Sequence, residues 1–256
     1  LAQVTAVPTP TDNSTPSYTF FSTLPGLINY SGDCRSSDNS SDADNNTITF
    51  NALSEGPHTN CKISVTSSAS GYTSDNLSVD NFTIDTTAPI LTAITLVPSL
   101  TNVNTPNYTF SSNEAGTITY GDCSSSTTEA SADNNTITFN ALGDGQHATC
   151  TITVRDNAGN TRTLEVDPFT IDTTKPILNP VSAVPTPTDN STPSYTFFST
   201  EAGVITYSGG CGSSSPSAAI SGNNAVRLTQ SDNSTALSDD TYNCTIRVTD
   251  NASNTS

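Results

Sequence analysis

The chain has 256 residues, of which 32% are hydrophobic and none is Trp or Met; 24 Asp and Glu stand against 7 Lys and Arg, for a formal net charge of −17. Clustered cations that could grip phosphate are missing, which argues against nucleic acid as a partner. No apolar run approaches the roughly 18 residues that would cross a membrane as a helix. Such acidity suits divalent cations and keeps a crowded surface protein soluble through repulsion.

From the start, the apolar residues alternate in short runs, the pattern of thin-cored β-structure and not of disorder. Leu1 is followed by no charged segment and no apolar core of a signal peptide. The lack of Met and the abrupt ends suggest a piece of a longer chain. Repetition organises the rest. Tyr18, Tyr108 and Tyr195 lie in TPSYTF, TPNYTF and TPSYTF, spaced by 90 and 87 residues. NNTITFNAL runs from Asn45 and again from Asn134, and Cys61, Cys150 and Cys244 each open a CxIxV segment. The expected division is residues 1–87, 88–174 and 175–256.

The second unit reads as about seven short strands. Leu91–Val97 is strand A, Asn107–Ser111 is B and Thr117–Tyr120 is C. A Ser/Thr-rich loop from Ser124 to Asp133 holds a short strand. Thr136–Asn140 is E, Cys150–Val154 is F, and DNAGN from Asp156 has the chemistry of a hairpin turn. Leu164–Ile171 is G, with Pro168 as an edge or bulge residue. The first unit begins at strand A, since Leu1–Val7 matches Leu91–Val97. The third stops after its DNASN turn, so its G strand is expected either on a continuing chain or from a neighbouring molecule. Its five extra residues before Cys244 predict a longer turn ahead of F and a candidate contact site.

FTIDTTAP (Phe82–Pro89) and FTIDTTKP (Phe169–Pro176) join the units. The proline stiffens each joint, and an apolar run follows at once, so the link is short and rigid. Six cysteines, two per unit, imply an oxidising compartment. One ends strand C and the other starts the neighbouring strand F, which predicts Cys34–Cys61, Cys123–Cys150 and Cys211–Cys244. A zinc site lacks the required spacing. The F–G turn lies at the end of a unit where A begins, so Asp85 is expected to face Asp156, and Asp172 to face Asp250. Hard oxygen ligands there can hold Ca²⁺, against the alternative of ordinary turn aspartates. His58 and His147 occupy equivalent positions between E and F, with Tyr242 in the third unit. No nucleophile stands in a catalytic setting around them, so no enzyme activity is expected.

The joint FTIDTTAP, the turn DNAGN and the pattern PTPTDNSTPSYTF…NNTITFNAL…CTITV resemble the bacterial Ig-like repeats of large cell-surface adhesins and surface fibre proteins. The resemblance implies an all-β protein: three tandem Ig-like β-sandwich domains in an extended array, one intradomain disulfide each. It implies an extracellular, cell-surface rod or filament, an adhesin stalk or fibre subunit, with neighbouring copies as partners and no membrane insertion. Strand donation between chains is one mode of assembly. The alternative is an adhesive module that binds a glycan or host surface. Joint aspartates bind calcium in related adhesins, which carries over to Asp85 and Asp172 and, through the facing turns, to Asp156 and Asp250.

Overall fold

A computed structural model describes residues 1–215 and 217–256. The described residues form strands and turns, with no helix. Three separate apolar clusters correspond to the three repeats.

The second unit shows the architecture most fully. One sheet is antiparallel in the order Leu91–Thr95, Asn107–Ser112, Asn134–Thr138. The facing sheet runs Glu129–Ala130, Gly116–Gly121, Thr151–Asp156, Thr161–Glu165. Alternation does the sorting, because successive side chains in a strand point to opposite faces. Tyr108, Phe110, Ile137, Ile152 and Val154 turn inward and are buried, while Thr109 and Thr136 stay outside and share a hydrogen bond of 2.9 Å. The first unit repeats both sheets. Burial of such side chains between two sheets supplies most of the stabilisation.

Strand pairing differs from expectation in one respect with consequences. The stretch expected as a single G strand, Leu164–Ile171, is two strands. Thr161–Glu165 pairs with Thr151–Asp156, whereas Phe169–Ile171 leaves that sheet. It lies instead between Leu100–Thr101, to which it runs parallel, and Gly145–His147, to which it is antiparallel. Val166 and Phe169 are both buried across the break. Pro168 suits this break, since it has no N–H to continue the first ladder, but it is not required for it: the first unit breaks at the same place with Asn81 there. In the first unit Phe82–Ile84 likewise pairs with Gly56–His58 and bridges to Thr11. The histidines therefore sit in short strands and not in turns.

In the third unit the extra residues do not simply lengthen a turn. Strand E extends over Gly222–Gln230, and its end pairs with Cys211–Ser213. Asp232 closes the following turn by accepting the N–H groups of Ser234 and Thr235 at 2.9 and 2.8 Å. Thr255 forms a bridge to Thr249, the first pairing on the F edge after the DNASN turn.

The cysteines pair as expected: Cys34–Cys61, Cys123–Cys150 and Cys211–Cys244, with Cα atoms 5.2, 5.1 and 5.5 Å apart. These separations fall within the disulfide range. In the first two units the bridge joins the end of strand C to the start of F within one sheet; in the third, Cys211 lies in the short strand Cys211–Ser213, paired with the end of strand E, and the bridge ties that strand to the start of F.

Candidate functional site: the joints between units

Each joint is built from three kinds of polar contact. The first grips the double threonine. Glu55 accepts the Thr86 N–H at 3.1 Å and the hydroxyls of Thr86 and Thr87 at 2.7 and 3.1 Å. At the second joint Asp144 does the same for Thr173 and Thr174, with hydroxyl contacts of 2.8 and 2.9 Å. The hydrogen bonds from Thr86 hold the Glu55 carboxyl below the ordinary carboxylate range, and those from Thr173 do so for Asp144.

The second contact locks the F–G turn. Asp156 is buried and its Oδ1 accepts the N–H groups of Ala158, Gly159 and Asn160 at 2.8, 2.7 and 2.9 Å. Gly159 adopts φ +116°, which the turn requires and an L side chain resists. Asn160 Nδ2 then donates to the carbonyl oxygen of Asp85 in the preceding unit, 2.8 Å away. Asn254 donates in the same way to the Asp172 carbonyl at 2.8 Å. The last Asn of DNAGN and DNASN is thus a direct tie across the joint.

The third contact is a carboxylate cluster. Asp85, Glu114 and Asp156 each present an oxygen within 4.8 Å of the others, and so do Asp172, Glu201 and Asp250. The two expected pairs, Asp85 with Asp156 and Asp172 with Asp250, are brought together by the fold. Glu114 and Glu201 were not among the expected residues. Among the described residues, Glu114 Oε2 is buried with no hydrogen-bond partner. Burial raises the Glu114 carboxyl above its ordinary value, and the charges of Asp85 and Asp156 raise it further. Glu201 is raised for the same reasons, burial first and then Asp172 and Asp250. Burial also raises Asp85. A signal for the glutamates does exist in the sequence. SNEAG and STEAG carry them at equivalent places, and the same two units carry DNAGN and DNASN. The first unit has Leu24 and Ser67 in place of Glu and Asp, so the two features appear and disappear together.

His58 and His147 stand away from this cluster. Each ring contacts a carbonyl oxygen at 2.9 Å, of Ser54 and Gly143 respectively. Each also stacks on Phe82 or Phe169 with centroids 5.3 Å apart. These are packing roles.

No curated protein sequence matches the chain significantly. A family model described as bacterial Ig-like domain matches residues 92–173. This segment spans nearly the whole second unit, and the first unit repeats its sheets, its disulfide and its joint strand. The second unit is thus similar to a bacterial Ig-like domain, and three disulfide-bridged sandwiches are consistent with three such domains, a type of module suited to the cell surface or the extracellular space.

Proposed function

We propose that the chain is a non-catalytic, load-bearing segment of a cell-surface stalk or fibre, whose joints are stiffened by calcium. The observation that carries this reading is the recurrence of one three-carboxylate cluster at both joints, each spanning two units. Oxygens within 4.8 Å of one another suit a calcium ion, whose oxygen ligands lie at about 2.3–2.6 Å. The unpartnered Glu114 oxygen and the mutual repulsion of the group give such an ion something to satisfy. Asp85, Glu114 and Asp156 would hold one ion, and Asp172, Glu201 and Asp250 a second. Each ion would tie the end of one sandwich to two loops of the next and oppose hinge bending there. The short link, the threonine grip and the Asn ties act in the same direction.

Small-angle scattering of the whole oxidised chain tests both parts. In millimolar calcium the profile should be that of a stiff rod, and chelation should broaden the distribution of end-to-end distances. Replacing Glu114 and Glu201 together by Gln should abolish that response. A folded-back particle in calcium would refute the rod. An extended profile that ignores calcium, together with unchanged thermal unfolding, would remove the ion from the account.

A further inference from the structure

Asn-x-Ser and Asn-x-Thr triplets recur along the chain, and the fold treats them differently. Those at Asn45, Asn107 and Asn134 lie in strands. A strand carries the residue two places on about 7 Å along its axis, too far for a hydroxyl there to reach the asparagine amide. The hydroxyls are spent on each other instead: Thr47 pairs with Thr19 and Thr109 with Thr136, each at 2.9 Å. Asn254 is buried, and its Nδ2 is committed to Asp172 and Asp250. Asn13 and Asn190 are arranged otherwise. Both are exposed and stand outside the strands, in the loop that leads from A to B. Asn13 Oδ1 accepts the Thr15 N–H at 2.9 Å and the Thr15 hydroxyl at 3.1 Å. Asn190 Oδ1 accepts the Thr192 N–H at 2.9 Å and the Thr192 hydroxyl at 3.5 Å. Among the described residues, no other triplet brings both donors to its own amide oxygen, and the Nδ2 groups of Asn13 and Asn190 make no hydrogen bond. The second unit has Val103 in this place.

We propose that Asn13 and Asn190 are acceptor sites for an N-linked sugar, taken from a donor whose anomeric carbon is esterified to a diphosphate. An amide nitrogen is a weak nucleophile, because resonance with the carbonyl holds its lone pair. Two donors on Oδ1 stabilise the charge that builds on that oxygen as Nδ2 gives up a proton, so the nitrogen attacks as an imidate and not as a neutral amide. In the transfer Nδ2 loses one proton to solvent and forms a bond to the anomeric carbon. The bond from that carbon to the phosphate oxygen breaks, and the diphosphate leaves with the electron pair. Three disulfides fit an exported chain, and this triplet in a surface loop of an exported chain is the setting in which such sugars are attached. A sugar on Asn13 would stand beside the first joint, since the neighbouring Asp12 N–H donates to the Ala158 carbonyl of the second unit at 3.2 Å.

Two reactions on the whole oxidised chain provide the test, each with a short Asn-Ser-Thr peptide as the control for activity. One uses a soluble asparagine glucosyltransferase with UDP-glucose, the other a membrane oligosaccharyltransferase with a lipid-diphosphate sugar; whichever modifies the chain identifies the donor. Mass spectrometry should show two added sugars, and peptide mapping should place them on Asn13 and Asn190. Asn13 should react first, because the Thr192 hydroxyl also accepts Arg227 Nη2 at 2.9 Å and lies farther from its amide. Asn13→Gln and Asn190→Gln should each remove one sugar, and Thr15→Val should slow transfer to Asn13 about tenfold. A chain left bare in both reactions while the peptide is modified would overturn the proposal. So would transfer to Asn45, Asn107 or Asn134 as fast as to Asn13, because the local geometry would then select nothing. Added mass reports on the sugar alone, so the rod and its calcium response can fail without this conclusion, and the reverse.

Discussion

Asn46, Asn135 and Asn224 show how one side chain can shape a whole repeat. Each sits in the second place of NN, and each closes the turn before strand E. Asn135 Oδ1 accepts the Ser131 N–H at 2.8 Å, and its Nδ2 donates to the carbonyls of Ser131 and Asp133 at 3.0 and 2.8 Å. Asn224 makes the same three contacts with Ile220 and Gly222 at 2.8, 2.8 and 2.9 Å. Replacement by Ala leaves those backbone groups without partners. Asn135→Ala should cost its unit about 1–3 kcal/mol, readable as a lower urea midpoint for one of the unfolding transitions. Gly116 is required for a different reason. A Cβ there would run into the carbonyl of Arg155 on the paired strand, as would one at Gly26 against Thr66 and at Gly203 against Thr249. Gly116→Ala should destabilise by about 1–3 kcal/mol through overpacking. Gly143→Ala, which meets open space without a positive φ, should be neutral or slightly stabilising in the same denaturation assay. The NN pairs and the glycines are visible in the sequence; what they touch is not, because their partners are backbone atoms of other segments.

At the level of the element, strand A and strand G both depart from a plain ladder. Strand A shifts register in every unit, between Gln3 and Thr5, Ala93 and Thr95, and Pro180 and Ser182. The extra residue, Val4, Ile94 or Val181, is pushed outward and exposed. Such bulges twist an edge strand away from further pairing. Alternation alone did not reveal them, since a bulge breaks the period that alternation relies on. Strand G changes sheets at Pro168, and that change creates the seat for Phe169. The disulfides could be read from the sequence because C and F must be neighbours in such a sheet. Each closes a loop of 27 or 33 residues, worth about 3.5 kcal/mol in chain entropy. Reduction should therefore lower the stability of every unit by roughly this amount. The third unit should unfold first in a reducing calorimetric scan, because Val184, Tyr195 and Ile246 are less buried there.

Across the whole molecule, the joints combine carboxylates whose acidities are shifted in opposite directions, and this fixes the sign of their pH dependence. Glu55 and Asp144 are lowered by the threonine hydroxyls, so their contribution is present above the ordinary carboxylate range and is lost as pH falls through the lowered values. Glu114 and Glu201 are raised by burial and by neighbouring aspartates, so without a cation they cost stability at neutral pH and cease to do so once protonated. In calcium-free buffer, Glu114→Gln with Glu201→Gln should thus raise the melting temperature near pH ~7 and change little near pH ~4. In calcium at neutral pH the same substitutions should lower it, if the ion is held as proposed; differential scanning calorimetry separates the two signs. By itself the sequence determined the repeat, the all-β class, the cysteine pairs and the approach of Asp85 to Asp156 and of Asp172 to Asp250, since each follows from local periodicity and the order of strands. Only the tertiary structure decided that Glu114 and Glu201 join those aspartates, that Asn160 and Asn254 tie across the joints, and that Phe169 leaves its expected sheet. Those depend on which distant segments share a space once the sandwiches pack, and residues far apart in a chain carry no local pattern that records it.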